Sequence, residues 1–567
     1  MTQGASEHLR QVARGGLVGL LGSAFAAVCG LALTVLVTRG LPAGEAGLFF
    51  AVVALFVMVA TVSGLGVDTG LARFLLRLEA QGRGQDVRRA VVVAAVPAGL
   101  VACAVTVLVM LLAGPIASGA GLGDEGATVV RLAAPALPCC VLADVMLAAT
   151  RAFGQMGQTA VVDRVLRAGA QVAVAAVVLS AGAGPAALAL GWSAVYAGSL
   201  VLAAAALRRC LRARPKGAAT VPERSLAREF WSFTWPRGVA GLAQVAVQRA
   251  DIVLVTALLS PLHGALYTAA TRFVAVGQMA NQAIHHVLQS RFTLLLLRRD
   301  DDSLGRTFSV TTAWAVLLVW PVYLVVGAAA PVYLAIFGEE YVTRGAVVTV
   351  AVMASTMLLA VASGPVDTLL LMAGRSGLSM VNGLVALAVD VAACLVLVPR
   401  VGIAGAALAW ALALAVRCSL GVWQVRRAVG LTRSMWAAPA LAGGAALACF
   451  GVPGLLLALR GDPSPGPVLL VAVAGSGAYA VLLVALRRPL GLGEAAAAVR
   501  RRAGREAATT PTATAGDPAQ PHPGTPPLPT GGGTHPDDRI PGAAPTRVSG
   551  GGAARPKESD EPCLLET

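Results

Sequence analysis

Fourteen apolar stretches separated by short polar intervals dominate this chain of 567 residues. Each stretch reaches about 20 residues, the length that an α-helix needs to cross a hydrocarbon core ~30 Å thick. With 57% hydrophobic and 13% charged residues, and a mean hydropathy of +0.75, the composition is far from that of a soluble protein. The stretches lie near 16–38, 47–72, 90–113, 127–149, 159–181, 185–206, 236–260, 263–290, 308–329, 343–372, 376–398, 402–423, 436–458 and 467–486. The sequence therefore predicts an all-α polytopic membrane protein.

Arginine-rich intervals alternate with intervals that are poor in basic residues. The interval 73–89 contains five arginines, and 208–237 contains seven arginines and Lys216, whereas 114–126 contains no basic residue. Because basic residues favour the cytoplasmic side, this alternation predicts that both termini are cytoplasmic. The same placement explains the net charge of +15 without nucleic acid, so membrane lipids are the expected surroundings.

An internal repeat suggests how the chain is divided. The segment Val37–Phe49 resembles Ala257–Tyr267, and Gly154–Gly157 resembles Gly374–Gly377. Two halves of six crossings each would have the same orientation, be related by an axis along the membrane normal, and bind substrate between them. The predicted domains are a first half at 1–210, a basic cytoplasmic linker at 211–235, a second half at 236–430, an additional helix pair at 431–488 and a disordered cytoplasmic tail at 489–567.

The segment 235–291 is more polar than a membrane-spanning hairpin needs to be. Its first stretch carries Gln244, Gln248 and Asp251 at helical spacing, and its second carries Gln278, Asn281, Gln282, His285 and Gln289. Polar groups within a bilayer usually face a bundle interior or a water-filled path, and amides can both donate to and accept from sugar hydroxyls. The alternative is hydrogen bonding between helices. The cavity interpretation is favoured, with the second half supplying most of the polar lining.

Arg249 and Arg272 lie well inside the same hairpin. A planar guanidinium that keeps its charge is suited to bidentate phosphate contacts, so both are candidate substrate-binding residues. The alternative for Arg249 is a structural ion pair with Asp251, Asp390 or Asp367. The candidates for ion coupling or gating are Asp251, Asp390, His285 and Asp68. Asp68 is expected to close the second crossing.

Several motifs together resemble a known family. They are Gly47–Phe50 and Gly264–Tyr267 at the start of two crossings, Asp251–Val255, Ile336–Tyr341 and Val398–Ala407. The chain resembles the polysaccharide flippase branch of the multidrug/oligosaccharidyl-lipid/polysaccharide (MOP) exporter superfamily over roughly residues 10–490. The resemblance implies two six-helix bundles, two additional helices and alternating access that moves a polyprenyl-pyrophosphate oligosaccharide across the bacterial cytoplasmic membrane. It also implies polysaccharide-assembly proteins as partners.

Other functions fit the sequence less well. No G-x-x-x-x-G-K-[ST], H-E-x-x-H or G-x-S-x-G motif occurs in a suitable context, so the expectation is a secondary transporter with no cofactor, metal or catalytic residue. A membrane glycosyltransferase remains a minor alternative, since the predicted outer intervals are short. An ion-coupled multidrug exporter and a lipid II flippase of the same superfamily remain alternatives, because substrate identity cannot be read from the pattern.

Overall fold

The apolar stretches form helices throughout the part of the chain that the structure describes. A computed structural model describes residues 2–153, 155–212, 223–429, 433–460 and 464–486. They belong to one compact unit, Met1–Arg500, and contain no β-strand. Eleven helices among them are long and apolar enough to cross a membrane. The all-α, multi-pass prediction is therefore confirmed, whereas the predicted tail at 489–567 and residues 213–222 of the predicted linker lie outside the described residues.

The first six predicted crossings are built from ten helices. In chain order these are α1 (Thr2–Gly40), α2 (Ala43–Ser63), α3 (Val67–Ala80), α4 (Val87–Leu111), α5 (Ala113–Gly119), α6 (Gly123–Ala133), α7 (Leu137–Ala152), α8 (Met156–Thr159), α9 (Ala168–Ser180) and α10 (Pro185–Arg212). A π-helical segment, Ala160–Arg167, joins α8 to α9. Such segments are rare and often occur at functional sites.

Twelve more helices form the rest of the described chain. They are α11 (Glu223–Leu258), α12 (Pro261–Thr271), α13 (Val274–Arg298), α14 (Asp301–Ala328), α15 (Ala330–Ala335), α16 (Arg344–Ala362), α17 (Val366–Met372), α18 (Ser376–Val401), α19 (Ile403–Val429), α20 (Ala437–Ala446), α21 (Val452–Leu459) and α22 (Pro465–Ala485). Side-chain oxygens of Ser260, Asp300 and Thr343 cap α12, α14 and α16 by accepting a backbone N–H. The hydrogen bonds that Asp300 accepts from Ser303 lower the pKa of the Asp300 carboxyl group.

Three predicted crossings are interrupted. The stretch 47–72 breaks after Ser63, where Leu65 and Gly66 adopt φ values of 51° and 71°. The stretch 343–372 breaks at Gly364, which has φ 75°, and the stretch 263–290 breaks between α12 and α13 at Arg272. The expectation that Asp68 closes the second crossing is therefore wrong: it lies in the first turn of α3.

The two similar segments found in the sequence meet in space. Helix α2 packs along α12, and a Cβ atom added at Gly47 would lie 1.7 Å from the carbonyl oxygen of Pro261. Close by in the sequence, Arg39 donates from Nε to the carbonyl of Ile336 at 2.7 Å and from Nη2 to that of Ala335 at 3.1 Å. Both contacts lie on the face that the charge pattern predicts to be outside. They join the first predicted half to the second.

Helix α11 also connects the two halves. Its 36 residues correspond to about 54 Å of helix, well beyond the ~30 Å of a hydrocarbon core. It packs against α2, α3 and α4 of the first half and against α12 and α18 of the second. Arg249 lies on this helix.

Candidate substrate cavity

A cavity in the described part of the chain lies between α11 and the first half. It has a volume of about 600 Å³, in the range of pockets that bind small molecules. Glycines and apolar residues of α2, α7 and α11 form much of its wall, and charged or phenolic groups interrupt this wall. These polar lining residues are Asp68, Asp144, Arg151, Arg167, Tyr196 and Arg249.

An ion pair and a tyrosine form one side of this cavity. Arg167 donates to Oδ1 of Asp163 from Nε at 2.8 Å and from Nη2 at 2.5 Å, and its Nη1 donates to the Tyr196 hydroxyl at 3.1 Å. The guanidinium carbon also lies 5.2 Å from the Tyr196 ring centre, a cation–π distance. Because these residues come from the π-helical segment and α10, the cluster fixes the position of a guanidinium beside the cavity.

Asp144 of α7 faces the same cavity. Its side chain is more than a third exposed there, and the Cys140 thiol lies 4.0 Å from its Oδ2 atom. The cavity therefore carries acidic groups as well as three arginines. Such a lining can donate to an anion and accept from hydroxyl or amino groups of the same ligand.

A second, smaller cavity lies on the other side of Arg249. Its volume is about 140 Å³, and its polar lining comprises Gln248, Arg249, Asp251, Thr268, Thr271 and Arg272. Arg249 thus lines both cavities. Arg272 lies at the break between α12 and α13, with its guanidinium carbon 5.9 Å from the Phe50 ring centre. The Nε atom of Arg272 is buried and has no hydrogen-bond partner within the described part of the chain.

The carboxylates near the second cavity differ in their partners. Oδ2 of Asp251 accepts a hydrogen bond from the Tyr267 hydroxyl at 2.7 Å, and Oδ1 accepts one from the backbone N–H of Ile252 at 2.8 Å. Asp390 of α18 is fully buried, and neither of its oxygens has a hydrogen-bond partner among the described residues. Asp251 is thus held in place, whereas Asp390 has no described donor.

Arg249 does not form the ion pair considered as an alternative. Asp367 instead accepts from Nη2 of Arg417 at 2.6 Å, and Asp251 is held by Tyr267. Within the residues that the structure describes, Arg249 has no hydrogen bond and no salt bridge with any of the three carboxylates. Its charge therefore remains available to a ligand.

Comparison with known proteins shows a family match over the first part of the chain. Residues 12–289 match the family described as "Polysaccharide biosynthesis protein". A solved structure of the lipid II flippase MurJ in an inward closed conformation is similar, with a TM-score of 0.66 at 10% identity, covering 83% of this chain and 99% of that one. The two chains share a fold.

Two further solved structures share this fold. An inward-facing multidrug resistance MATE transporter has a TM-score of 0.59 at 15% identity, covering 73% of this chain and 98% of that one. A MOP transporter from Pyrococcus furiosus, whose binding pocket is described as having reversed polarity, has a TM-score of 0.54 at 15% identity, covering 74% and 95%. Comparison with curated protein sequences gives no significant match.

Several predicted site residues can be placed. Gln248, Arg249, Asp251 and Arg272 line the smaller cavity, and Asp68 lines the larger one. The side chains of Gln244, Gln278, Asn281, Gln282 and His285 lie outside the described residues, although their backbone is helical. The described polar lining of the larger cavity comes mainly from the first half, which differs from the expectation that the second half supplies most of it.

Asp144 and Arg167 are cavity residues that the sequence analysis did not identify as candidates. Asp144 is a lone carboxylate within the apolar stretch 127–149, and an ionisable residue in a membrane span is by default a functional candidate. The pair Asp163 and Arg167 has the spacing of an ordinary i,i+4 pair on a helix. Its proximity to Tyr196 depends on how the π-helical segment packs against α10, which spacing alone does not reveal.

Proposed function

We propose that this protein belongs to the MOP superfamily and moves a polyprenyl-pyrophosphate-linked oligosaccharide or polysaccharide precursor across the cytoplasmic membrane by alternating access. The observation that carries the proposal is that Arg249 lines both cavities and has no carboxylate partner in the described part of the chain. An unpaired guanidinium at this depth is costly unless a ligand supplies the negative charge. A pyrophosphate supplies it, and the planar fork of arginine matches its oxygens.

The remaining groups have complementary roles in this proposal. Arg272 is the second phosphate contact, because its buried Nε lacks a described partner. Gln248 and the acidic and phenolic groups of the larger cavity offer acceptors and donors for sugar hydroxyls. The lipid tail remains in the bilayer. Asp251 and Asp390 are the proposed ion-coupling groups, because buried carboxylates in membrane proteins mark ion pathways.

Proteoliposome assays test the substrate class. Purified protein is reconstituted, and translocation of a polyprenyl-pyrophosphate oligosaccharide, of lipid II and of a cationic dye is measured in parallel. The proposal expects movement of the lipid-linked oligosaccharide in preference to the dye. Preferential movement of lipid II would assign the chain to that substrate instead, in line with its likeness to MurJ.

A multidrug exporter is the second candidate, and one observation favours it. Asp68, Asp144 and Tyr196 line the larger cavity, and carboxylates and aromatic rings are the groups that bind organic cations. The same cavity contains Arg151, Arg167 and Arg249, which repel such cations. Efflux of a cationic dye without translocation of any lipid-linked saccharide would establish the multidrug function and reject the flippase.

A further inference from the structure

The amino-terminal part of α11, residues 223–238, is fixed to the first half by an apolar contact. We refer to this part as the α11 extension. Its Leu226 and Phe230 side chains are completely buried, in one cluster with Leu71 and Leu75 of α3. The rings of Phe230 and Phe74 are in edge contact, with centroids 5.4 Å apart. The extension thus packs its apolar face on α3 of the first half, although α11 continues into the second half.

Two glycines allow the backbones to come close along this contact. A Cβ atom at Gly70 would lie 2.3 Å from Oγ1 of Thr234 and 3.0 Å from its Cβ. A Cβ atom at Gly238 would lie 2.8 Å from the backbone carbonyl of Leu65, in the turn between α2 and α3. Larger residues at either glycine would force the extension away from α3.

A cluster of charged residues joins the extension to the first half. Oε1 of Glu229 is 3.1 Å from Nη1 of Arg77, and Oε2 is 3.9 Å from Nη1 of Arg83. Arg83 is itself paired with the buried Asp86 at 3.1 Å, which fixes its position. Glu229 therefore joins the extension to two arginines of the first half, on the face that the charge pattern predicts to be cytoplasmic.

The surface on which the extension packs is continuous with the wall of the larger cavity. Gly238, Gly241, Val245 and Arg249 line the cavity along one side of α11, and Gly64 and Gly66 line it from the neighbouring turn. Gly238 belongs both to this wall and to the backbone contact with Leu65. Movement of the extension away from α3 would consequently move the wall at that end of the cavity.

We propose that the α11 extension is a latch on the larger cavity, and that Glu229 is the positioning residue that holds it closed against Arg77 and Arg83. Release of the latch opens the cavity toward the predicted cytoplasmic face, where substrate enters. Glu229 acts through the position of α11 and does not contact substrate. The inference deepens the proposed function, but its first test requires no substrate.

The first test measures access to the cavity. A cysteine is introduced at Gly241, where a Cβ atom meets nothing within 4 Å, and its reaction with a membrane-impermeant maleimide is followed in inside-out vesicles. The signal of the protein without this cysteine, which reports the native thiols, is subtracted. We expect Glu229→Gln to accelerate labelling by about two- to five-fold, the range that a partly exposed ion pair allows. Arg228→Gln, which removes an exposed charge at the adjacent position, is the matched control and should leave the rate unchanged.

The second test closes the latch covalently. Cysteines at Arg77 and Glu229 replace the ion pair between α3 and the extension, and a short bis-methanethiosulfonate reagent joins the two thiols through reducible disulfides. Treatment of the double variant with this reagent should stop translocation of polyprenyl-pyrophosphate oligosaccharide, and a reductant should restore it, whereas either single variant should be insensitive to the reagent.

The outcomes separate the latch from the transported substrate. Unchanged labelling in Glu229→Gln, or normal translocation by the fully cross-linked protein, would overturn the latch. Faster labelling in a protein that moves no lipid-linked saccharide would support the latch and reject the proposed function. If the double cysteine variant does not fold, the labelling comparison of Glu229→Gln with Arg228→Gln still decides.

Discussion

Gly47 lies against the main chain of Pro261, so closely that no side chain fits between α2 and α12. The two residues belong to the segments that gave the clearest internal similarity in the sequence. Both lie near the predicted outer ends of their helices, where Arg39 also joins the two halves by hydrogen bonds to Ile336 and Ala335. The similar segments therefore form a contact that alternating access would have to open.

Replacement of Gly47 by alanine should destabilise this contact. The added methyl group would overlap the Pro261 carbonyl, and overpacking of a tight contact typically costs about 1–3 kcal/mol. Gly44→Ala, on the same helix where a Cβ atom meets nothing within 4 Å, is the matched control. Thermal unfolding in detergent should show a lower midpoint for Gly47→Ala only. Equal midpoints would contradict the close contact.

Removal of the Tyr267 hydroxyl should also be costly. Tyr267→Phe deprives buried Asp251 of a side-chain donor, and an unsatisfied buried acceptor costs roughly 1–3 kcal/mol. Tyr341 is equally buried, but its hydroxyl has no partner among the described residues, so Tyr341→Phe is a close control. Denaturation of the two variants should separate them. A larger loss in Tyr341→Phe would refute this assignment of the hydrogen bond.

Hydropathy predicted most of the membrane-spanning helices, but it did not predict the breaks within them. Apart from these breaks, the predicted crossings are helical where the structure describes them, because the apolar stretches are long and must satisfy their backbone internally. The turns at Leu65 and Gly364 lie beside Gly66 and Pro365, which are local turn signals, but hydropathy and length alone do not reveal them. Their positions depend on contacts with other helices, as at Gly364, where a Cβ atom would lie 2.5 Å from Oγ1 of Thr312.

The candidate site was predictable only in part. Arg249 and Arg272 stood out because charges within membrane spans are rare. The sequence could not indicate that Arg249 lines two cavities, or that Asp367 pairs with Arg417, since both depend on the packing of distant helices. Asp144 could have been found by the same rule that identified the arginines.

Asp144 should matter for substrate recognition. Because its carboxylate faces the larger cavity and a hydrogen bond involving a charged group contributes about 1.5–3 kcal/mol, Asp144→Ala should weaken binding of lipid-linked saccharide by roughly ten-fold or more. Asp124→Ala removes an exposed carboxylate at the start of α6 and serves as the control. Binding to the detergent-solubilised protein can be measured by microscale thermophoresis. Equal affinities for the two variants would exclude Asp144 from the site.

The Asp390 carboxylate should affect coupling more than folding. Asp390→Asn keeps the shape of the side chain in a place where the described residues provide no donor to its oxygens. We expect the variant to lose the dependence of translocation on a sodium or proton gradient while its unfolding midpoint changes little. Translocation in proteoliposomes with and without each gradient measures this. A variant that responds to the gradients as the wild type does would remove Asp390 from coupling.

The most direct measurement is the initial rate at which proteoliposomes translocate a polyprenyl-pyrophosphate oligosaccharide, compared for wild type, Arg249→Ala, Arg249→Lys and Arg400→Ala. Arg400 is exposed and donates to the Val396 carbonyl of its own helix, so its removal controls for loss of charge. The translocation rate of Arg249→Ala should fall by about ten-fold or more, because a charge-assisted hydrogen bond contributes ~1.5–3 kcal/mol. The rate of Arg249→Lys should fall less, and that of Arg400→Ala should be normal. Wild-type rates in both Arg249 variants, at equal protein abundance, would contradict the account.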